Sequence, residues 1–350
     1  MVERILSVAF PFAPVRDDTA GGAEQVLRLL DRAMATRGVQ SFVVAAEGSE
    51  VCGTLLPLPL IDSTLDETAQ RFVRARCAEM IARAIDEYDI DLVHYHGVDF
   101  SSYCAPDVPS LATLHLPLHL YEDAIFREEV TLHCVSRSQF KQAPRVANIA
   151  GFIENGVDLT TFAPSNEHDD YALVLGRICP EKGFHHAIEA ARIAGVPLLI
   201  AGEVFAYREH RDYFERDIES RLDADRRFIG RIGIHAKKQL LARARCLLVP
   251  SCIDETSSLV AMEALASGTP VIAFCAGALP ELVAHGESGF LVSDAAEMAR
   301  AIAELDCIDR RACRRIAEQR FDAKRMIDDY FALYERVAHP AMTSSSSITS

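Results

Sequence analysis

The chain has 350 residues, and 49% of them are hydrophobic, so its length predicts two domains with sizeable cores. Its formal net charge of −15 argues against nucleic acid or an anionic membrane surface as the main partner. The sequence contains no run of 18 apolar residues and therefore predicts no transmembrane segment. Its ten cysteines include no C-x-x-C pair, which favours reduced thiols in a cytoplasmic protein.

The first half of the chain alternates short apolar runs with amphipathic stretches, a rhythm typical of α/β domains with parallel sheets. Strands are predicted at residues 4–10, 40–47, 92–95, 110–116 and 131–136. A long helix is predicted at residues 66–88, with an apolar stripe of Phe72, Val73, Cys77, Met80, Ile81 and Ile85.

Gly21 and Gly22 stand between the first predicted strand and the start of a helix. A strand, a glycine pair and a helix N-terminus form the arrangement with which α/β folds hold phosphate. The pair does not match the G-x-G-x-x-G fingerprint of dinucleotide-binding domains. A tight turn without a ligand explains it equally well, so both interpretations stay open.

His94 and His96 lie at the carboxyl end of the predicted strand 92–95. Their spacing places both side chains on one face of that strand. Because ligands bind at the carboxyl ends of parallel strands, the two histidines are candidates for ligand contact. The alternative is a pair of core or surface histidines, and His133 in the strand at 131–136 is predicted to be a core residue.

The sequence predicts no metal site. Asp89 and Asp91 form a D-x-D triplet, but the triplet lies between a helix and a buried strand, which indicates a solvated turn. His115 and His119 are the nearest candidates to join the other histidines as metal ligands, and they belong to a different strand and loop.

The second half of the chain repeats the alternation and predicts a second parallel α/β domain. Its strands are predicted at residues 171–176, 197–202, 227–232, 246–249 and 271–274, and a helix is predicted at residues 182–194. Three helical stretches follow Asp294 and extend to about Ala338.

Arg177 ends the first strand of the second half, and Lys182 opens the helix that follows it. The two cations can converge on one anion beside the free amides of the helix start, which suits a diphosphate. Two unrelated surface cations are the alternative. Only 5 of the 36 basic residues are lysine, which favours a specific role for Lys182.

Residues 247–274 predict a strand, a loop, a helix, a turn and a second strand. Glu255 precedes the helix among small polar residues, whose backbone amides form an anion site at the helix start. Glu263 lies in the middle of the helix between apolar neighbours, and nothing nearby in the sequence pairs with it. A capped helix with one solvated glutamate is the simpler interpretation.

Five motifs of the chain together resemble those of glycosyltransferase family 4, the retaining enzymes of the GT-B fold. They are G-G-x-E at 21–24, H-x-H at 94–96, N-G-V-D at 155–158, G-R-x-x-x-E-K-G at 176–183 and a long string at 250–273. In the last string the matching residues are Pro250, Ser251, Glu255, Leu259, Val260, Glu263, Ala264, Ala266, Gly268, Pro270, Val271, Ile272 and Ala273. One departure stands out, because Thr256-Ser257-Ser258 replaces the family's G-F-G. Serine admits fewer backbone conformations than glycine.

The resemblance implies a GT-B fold, in which two Rossmann-like domains with parallel sheets face each other across a cleft. An N-terminal acceptor-side domain is expected at residues 1–165 and a C-terminal nucleotide-sugar-binding domain at 166–322. A helix at 323–338 is expected to cross back onto the first domain, and the serine-rich tail 339–350 is expected to be disordered.

The resemblance also implies a reaction, namely the transfer of a sugar from a nucleoside diphosphate sugar to an acceptor hydroxyl with retention and without a metal or cofactor. The implied catalytic residues are Glu255, His96, Arg177 and Lys182. The implied donor-binding residues are Gly21, Gly22, Arg177, Lys182, Thr256, Ser257, Ser258, Leu259, Val260 and Glu263. Within this set, Glu255 and His96 are expected at the donor sugar and Glu263 at the ribose.

Three other functions stay open. The departure at residues 256–258 suits a protein that binds a sugar nucleotide without transferring the sugar. A sugar-nucleotide 2-epimerase on the same fold would need no acceptor. A two-domain oxidoreductase is disfavoured because no G-x-G-x-x-G follows the first strand. The sequence specifies neither the donor sugar nor its base, and it leaves the acceptor and the oligomeric state undefined.

Overall fold

The computed structural model describes residues 2–16, 19, 21–60, 66–105, 107–127, 129–205 and 207–340. Within these residues the chain forms one parallel sheet of seven strands and a second of six, with helices packed against each. Two such domains confirm the predicted α/β class and the GT-B architecture. No helix in the described part of the chain is long and apolar enough to cross a bilayer.

The strands of the first sheet are β1 (Arg4–Val8), β2 (Gln40–Ala46), β3 (Thr54–Leu58), β4 (Leu92–Tyr95), β5 (Ser110–Leu114), β6 (Thr131–Cys134) and β7 (Ile149–Phe152). Those of the second sheet are β8 (Ala172–Arg177), β9 (Leu198–Glu203), β10 (Arg226–Gly230), β11 (Cys246–Val249), β12 (Val271–Phe274) and β13 (Gly289–Val292). The strand orders are β3-β2-β1-β4-β5-β6-β7 and β10-β9-β8-β11-β12-β13.

The first domain contributes the α-helices α1 (Gly22–Arg37), α2 (Glu67–Tyr88) and α3 (Arg137–Gln142). The second sheet is accompanied by α4 (Phe184–Ala194), α5 (Arg208–Tyr213), α6 (Ile234–Arg243), α7 (Leu259–Ala266), α8 (Leu279–Leu282), α9 (Ala295–Ala303) and α10 (Arg310–Arg320). The chain then forms α11 (Ala323–Ala338). Short 3₁₀ turns occur between these elements, and one of them, Pro180–Lys182, stands directly before α4.

Both sheets have a switch point, where the strand order runs outward in two directions from one central strand. In the first sheet β1 pairs with β2 on one side and β4 on the other. In the second sheet β8 pairs with β9 and β11 in the same way. Crevices form beside such strands at their carboxyl ends, and ligands of open α/β sheets bind there.

Helix α11 belongs to the core of the first domain although it is the last helix of the chain. Its Met326, Tyr330, Leu333 and Tyr334 are buried against a cluster that includes Leu92 of β4. Tyr334 also bonds through its hydroxyl to the Nδ1 atom of His94, at 2.9 Å. The helix therefore crosses from the second domain and completes the first.

The structure corrects several boundaries. Phe72 is 52% exposed, so it does not belong to the buried stripe of α2, which Val73, Cys77, Ile81 and Ala84 form. The first strand ends at Val8 rather than at residue 10. Strands β3, β7 and β13 were absent from the prediction, and each of them lies at the edge of its sheet. Most of the predicted tail, residues 341–350, lies outside the described residues.

Candidate active site

Lys182 and Glu255 form an ion pair, with the Nζ atom 2.5 Å from Oε1. The hydroxyl of Ser251 donates to the same carboxylate oxygen, and Glu255 is buried. Gly183 makes the contact possible, because its φ is +61° and a Cβ there would lie 2.1 Å from the carbonyl oxygen of Pro250. The structure thus brings two predicted site residues, 73 positions apart in the chain, into direct contact.

Gly277 packs against the backbone of the loop that contains Glu255. Its φ is +56°, and a Cβ would approach the backbone nitrogen of Glu255 to 2.4 Å. Ala278 donates its amide to the carbonyl oxygen of Glu255 at 2.7 Å. A glycine is therefore required at 277 for this close packing, which fixes the carboxylate of Glu255 at the carboxyl end of the second sheet.

Arg177 ends β8 and directs its guanidinium carbon over the ring of Phe205, 5.8 Å from the centroid. Its Nε atom is buried and has no hydrogen-bond partner in the structure. Across the cleft, Glu24 of α1 lies within electrostatic range. Burial raises the pKa of Glu24, while its own backbone amide and Arg177 act in the opposite direction. Glu24 was not predicted as a site residue, although it is the acid of the G-G-x-E motif.

Gly21 and Gly22 place the start of α1 against the second domain. A Cβ on Gly21 would lie 1.9 Å from a carboxylate oxygen of Glu24, so the absence of a side chain leaves room for that acid. Gly22 faces Leu259, whose Cδ1 would be 3.5 Å from a Cβ on the glycine. The predicted donor-binding segments of the two domains are therefore direct neighbours.

The loop that replaces the family's G-F-G also reaches across the cleft. The hydroxyl of Thr256 donates to the carbonyl oxygen of His115 at 2.7 Å. The hydroxyl of Ser257 is buried without a partner in the structure. Ser258 is the N-cap residue of α7 but makes no capping bond with its side chain. The N-cap residue of α1, Gly21, likewise makes no side-chain capping bond, so neither helix start is capped by its N-cap side chain.

Four histidines of the first domain lie together and form what we call the histidine cluster: His94, His96 and His133 are buried, and His115 is half-buried. The Nδ1 atom of His96 lies 3.0 Å from the Nε2 atom of His115. Thr113 contacts the Nε2 atoms of both His94 and His133, each at 2.7 Å, and His133 is a core residue as predicted.

Burial keeps the histidine cluster neutral. It lowers the pKa of His94 and of His96 well below the usual value, and neighbouring histidines add to the effect. Burial also lowers the pKa of His133 to about 4. The Nε2 atom of His96 is buried and has no partner in the structure, so a neutral imidazole nitrogen is available for a further hydrogen bond.

Glu263 lies at a separate place on α7. Its Oε1 atom pairs with the Nζ atom of Lys237 at 2.5 Å, and its Oε2 atom is buried without a partner. Burial raises the pKa of Glu263, and the charge of Lys237 opposes that rise. Lys237, on α6, was missed by the sequence analysis, although it is one of only five lysines. Val260, one turn earlier, packs against the core of the second domain.

A cavity of about 130 Å³ lies beside Glu263, between the two domains. Lys237 and Leu259 line it from the second domain, and Arg28 and Arg32 of α1 line it from the first. The residues that line the cavity do not include His96, Arg177, Lys182 or Glu255. The predicted site residues therefore lie at three places: Arg177, Lys182 and Glu255 at the carboxyl end of the second sheet, His96 after β4 in the first sheet, and Glu263 beside this cavity.

Two family models match the chain in succession. Residues 20–161 match Glycosyltransferase Family 4, and residues 160–320 match Glycosyl transferases group 1. Together they cover both domains and every predicted site residue. The chain belongs to this family of glycosyltransferases.

Individual relatives agree with this assignment. The phosphatidyl-myo-inositol mannosyltransferase of Mycobacterium tuberculosis is 26% identical, over 93% of this chain and 96% of its own. Among solved structures, sucrose-phosphate synthase from Thermosynechococcus elongatus superposes with a TM-score of 0.78 at 21% identity, over 96% and 99% of the two chains. HepE of Anabaena, solved with UDP and glucose, gives 0.73 at 20% identity, over 95% and 99%. The chain is thus a glycosyltransferase of the GT-B fold.

Proposed function

We propose that this glycosyltransferase moves a sugar from a nucleoside diphosphate sugar to an acceptor hydroxyl, with retention at the anomeric carbon and without a metal ion. One observation carries the proposal. Within the described residues, four predicted site residues each have a buried polar atom without a partner, namely Nε2 of His96, Nε of Arg177, Oγ of Ser257 and Oε2 of Glu263. Because buried polar atoms are normally hydrogen-bonded, these four atoms fit a polar ligand that runs along the cleft.

Arg177 and Lys182 are assigned to the diphosphate. As the bond to the sugar breaks, negative charge grows on the leaving phosphate, and fixed cations stabilise that charge. Lys182 pairs with Glu255 in the structure, so it exchanges this partner for a phosphate oxygen when the donor binds. The amides at the starts of α1 and α7 add further donors. Two side-chain cations and these amides replace a metal ion in this scheme.

Glu255 and His96 are assigned to the sugar. Once Lys182 turns to the phosphate, the carboxylate of Glu255 binds sugar hydroxyls and balances the positive charge that develops at the anomeric carbon. Burial lowers the pKa of His96 well below its usual value, which makes the imidazole a weak base, so His96 is assigned a hydrogen bond to the sugar and not the role of general base. In a retaining transfer, the acceptor attacks the face that the phosphate leaves, and a phosphate oxygen takes the acceptor proton.

Glu263 is assigned to the ribose. A carboxylate can accept two hydrogen bonds from the adjacent hydroxyls of a ribose, and the Oε2 atom of Glu263 has no partner in the structure. Lys237 holds the other oxygen and orients the group. A solved relative of the same fold, HepE of Anabaena, was crystallised with UDP-glucose, which supports a donor of this chemical class.

The test is a donor screen in EDTA. UDP-, GDP- and ADP-sugars are incubated with the chelator-treated enzyme and a panel of hydroxyl acceptors, and the products are followed by NMR of the anomeric proton. We expect transfer with one donor class and an anomeric configuration equal to that of the donor. Binding without product would favour a non-catalytic sugar-nucleotide-binding protein. A sugar altered at C2 without an acceptor would favour an epimerase. Loss of donor binding in EDTA would refute the metal-free assignment.

A further inference from the structure

Three potential metal ligands converge beside the proposed phosphate site, from two separate segments of the second domain. Cys179 follows β8, Glu181 lies in the 3₁₀ turn before α4, and His210 belongs to α5. Each offers one ligand atom, and these atoms all lie within 4.8 Å of one another. Ligand atoms around one tetrahedral zinc are roughly 3.3–3.6 Å apart, given usual zinc–ligand bond lengths. Small side-chain rotations therefore suffice to bring all three onto one ion.

Burial supports the same grouping. Cys179 is fully buried, and His210 is only 9% exposed. The Nδ1 atom of His210 is buried and has no hydrogen-bond partner in the structure, although an imidazole nitrogen in the interior normally has one. The ring of Tyr207 packs edge-on against this imidazole, 5.1 Å between centroids. Glu181 lies at the surface and leaves a path by which an ion enters.

We propose that Cys179, Glu181 and His210 form a zinc-binding site. Sulfur, imidazole nitrogen and carboxylate oxygen are the ligands that zinc takes in proteins, and three protein ligands leave a fourth position for water. The thiolate disfavours magnesium and calcium, which prefer all-oxygen sites. A thiolate and a carboxylate together neutralise the double charge of the ion, so the neighbouring Arg177 does not face a net positive site.

The consequence of zinc binding is mechanical and goes beyond the proposed transfer reaction. Cys179 and Glu181 flank Pro180 in the turn that ends at Lys182. An ion bound to these residues and to His210 ties this turn to α5. The ion takes no part in the chemistry, because none of its three ligands is assigned to the donor. Zinc therefore stabilises the second domain, whereas turnover continues in EDTA.

The experiment uses the full chain, reduced and freed of metal with a chelator that is then removed. Zinc is titrated by calorimetry, and Co²⁺ is added separately as a spectroscopic probe. We expect one Zn²⁺ per chain, a rise in Tm, and a thiolate-to-cobalt absorption band with Co²⁺. Cys179→Ser should abolish the band, and His210→Gln should weaken zinc binding by more than the roughly 10- to 100-fold that loss of an outer-shell partner costs, because it removes a direct ligand. Cys52→Ser, which removes an exposed thiol of the first domain, is the control and should bind zinc as the wild type does.

Two further variants keep the proposal falsifiable if a change at the buried Cys179 impairs folding. Glu181→Gln alters a surface side chain and should weaken zinc binding while the metal-free Tm stays unchanged. Cys252→Ser removes an exposed thiol close to the proposed site and should leave zinc binding intact. The backbone amide of Cys252 donates to the carbonyl oxygen of Glu181 at 2.8 Å. The proposal is overturned if the wild type binds no zinc, if Glu181→Gln and His210→Gln bind it normally, or if the cobalt band depends on Cys252. None of these results bears on sugar transfer, which is measured in EDTA.

Discussion

The two sides of the cleft present opposite chemistry. On the first domain, the histidine cluster is neutral and hydrogen-bonded within itself and to Thr113 and Tyr334. On the second domain, Arg177, Lys182 and Glu255 form a group of fixed charges, which we call the charged cluster. The histidines are neutral because burial lowers the pKa of imidazole. In the charged cluster, Lys182 and Glu255 both stay charged because they form an ion pair with each other.

The proposed reaction uses this difference. A diphosphate needs fixed positive charge, which the proposal assigns to Arg177 and Lys182 of the charged cluster. The sugar is assigned one group from each side, namely the carboxylate of Glu255 and the neutral Nε2 atom of His96, which has no partner in the structure. The comparison makes distinct predictions for each side, because changes in the charged cluster should affect the rate of transfer and changes in the histidine cluster should affect stability against acid.

The largest effect is expected for Glu255→Gln, which keeps the volume of the side chain and removes its charge. Losing one preorganised electrostatic group at a reaction centre costs about 10²- to 10³-fold in kcat. The affinity for the nucleoside diphosphate should stay within about threefold of wild type, because the proposal assigns Glu255 to the sugar and not to the nucleotide. Steady-state kinetics and calorimetry measure the two quantities. Glu189→Gln, at an exposed position on α4, is the matched control, and full turnover of Glu255→Gln would remove this stretch from the active site.

Lys182→Ala and Arg177→Ala should each lower kcat/KM by about 10- to 100-fold. A lost charge-assisted hydrogen bond to phosphate costs roughly 1.5–3 kcal/mol. Lys324→Ala serves as the control, since Lys324 is exposed at the start of α11. If both variants retain wild-type kinetics, the charged cluster is not the phosphate site.

On the other side of the cleft, stability should fall as the pH drops below about 6.5. His133 has a pKa of about 4 in the folded chain and about 6.5 when unfolded, so only the unfolded state takes up this proton between the two values. The free energy of unfolding then decreases by about 1.4 kcal/mol per pH unit for this histidine, and no further below about pH 4.

Urea unfolding at pH 7, 6 and 5 measures this slope. His133→Asn should reduce the loss of stability between pH 7 and 5 by roughly 2 kcal/mol relative to wild type. His119→Asn, at an exposed position, should leave the loss unchanged. If the unfolding free energy had the same pH dependence in wild type and His133→Asn, His133 would not be held neutral by burial. The contrast between a neutral first domain and a charged second domain would then be wrong.

The smallest effect is expected for Glu263→Gln. It should weaken the binding of the donor and of the free nucleoside diphosphate together, by about tenfold or 1.4 kcal/mol, because both carry the ribose. Turnover at saturating donor should change little. The unfolding free energy is measured alongside, since the change leaves Lys237 without its charged partner. A variant that binds donor normally but turns over slowly would reverse the roles given to the two glutamates.

The central strands were predictable because both of their faces are buried. Strands β4, β11 and β12 form at residues 92–95, 246–249 and 271–274 as the sequence predicts, and every residue in them is buried. Strand β7 is an edge strand with the short sequence IAGF and without a fully buried residue. Such a short run shows no alternation of polar and apolar residues from which a strand could be predicted. Strand β3 was missed because its proline is unusual inside a strand and is tolerated at an edge.

The candidate site was predictable where motifs carry it and unpredictable where tertiary contacts do. The motifs name Lys182 and Glu255 but give no indication that the two form an ion pair. Lys237 pairs with Glu263 from another helix, 26 positions away in the chain, and no local sequence pattern predicts that pairing. The zinc ligands were missed for the same reason, because His210 belongs to a helix outside the motif that contains Glu181. The tyrosine partner of His94 stands 240 positions further along the chain.

The crossing of α11 has a consequence for how the protein is made. The last helix supplies buried core residues to the first domain, so that domain is discontinuous in the chain. At ordinary rates of translation, the helix is synthesised roughly 10–30 seconds after residue 165. During this interval the apolar surface around β1, β4 and β5 has no cover from α11. The core of the first domain is therefore completed only after α11 has been synthesised. A fragment that stops after the first domain should aggregate when it is expressed alone.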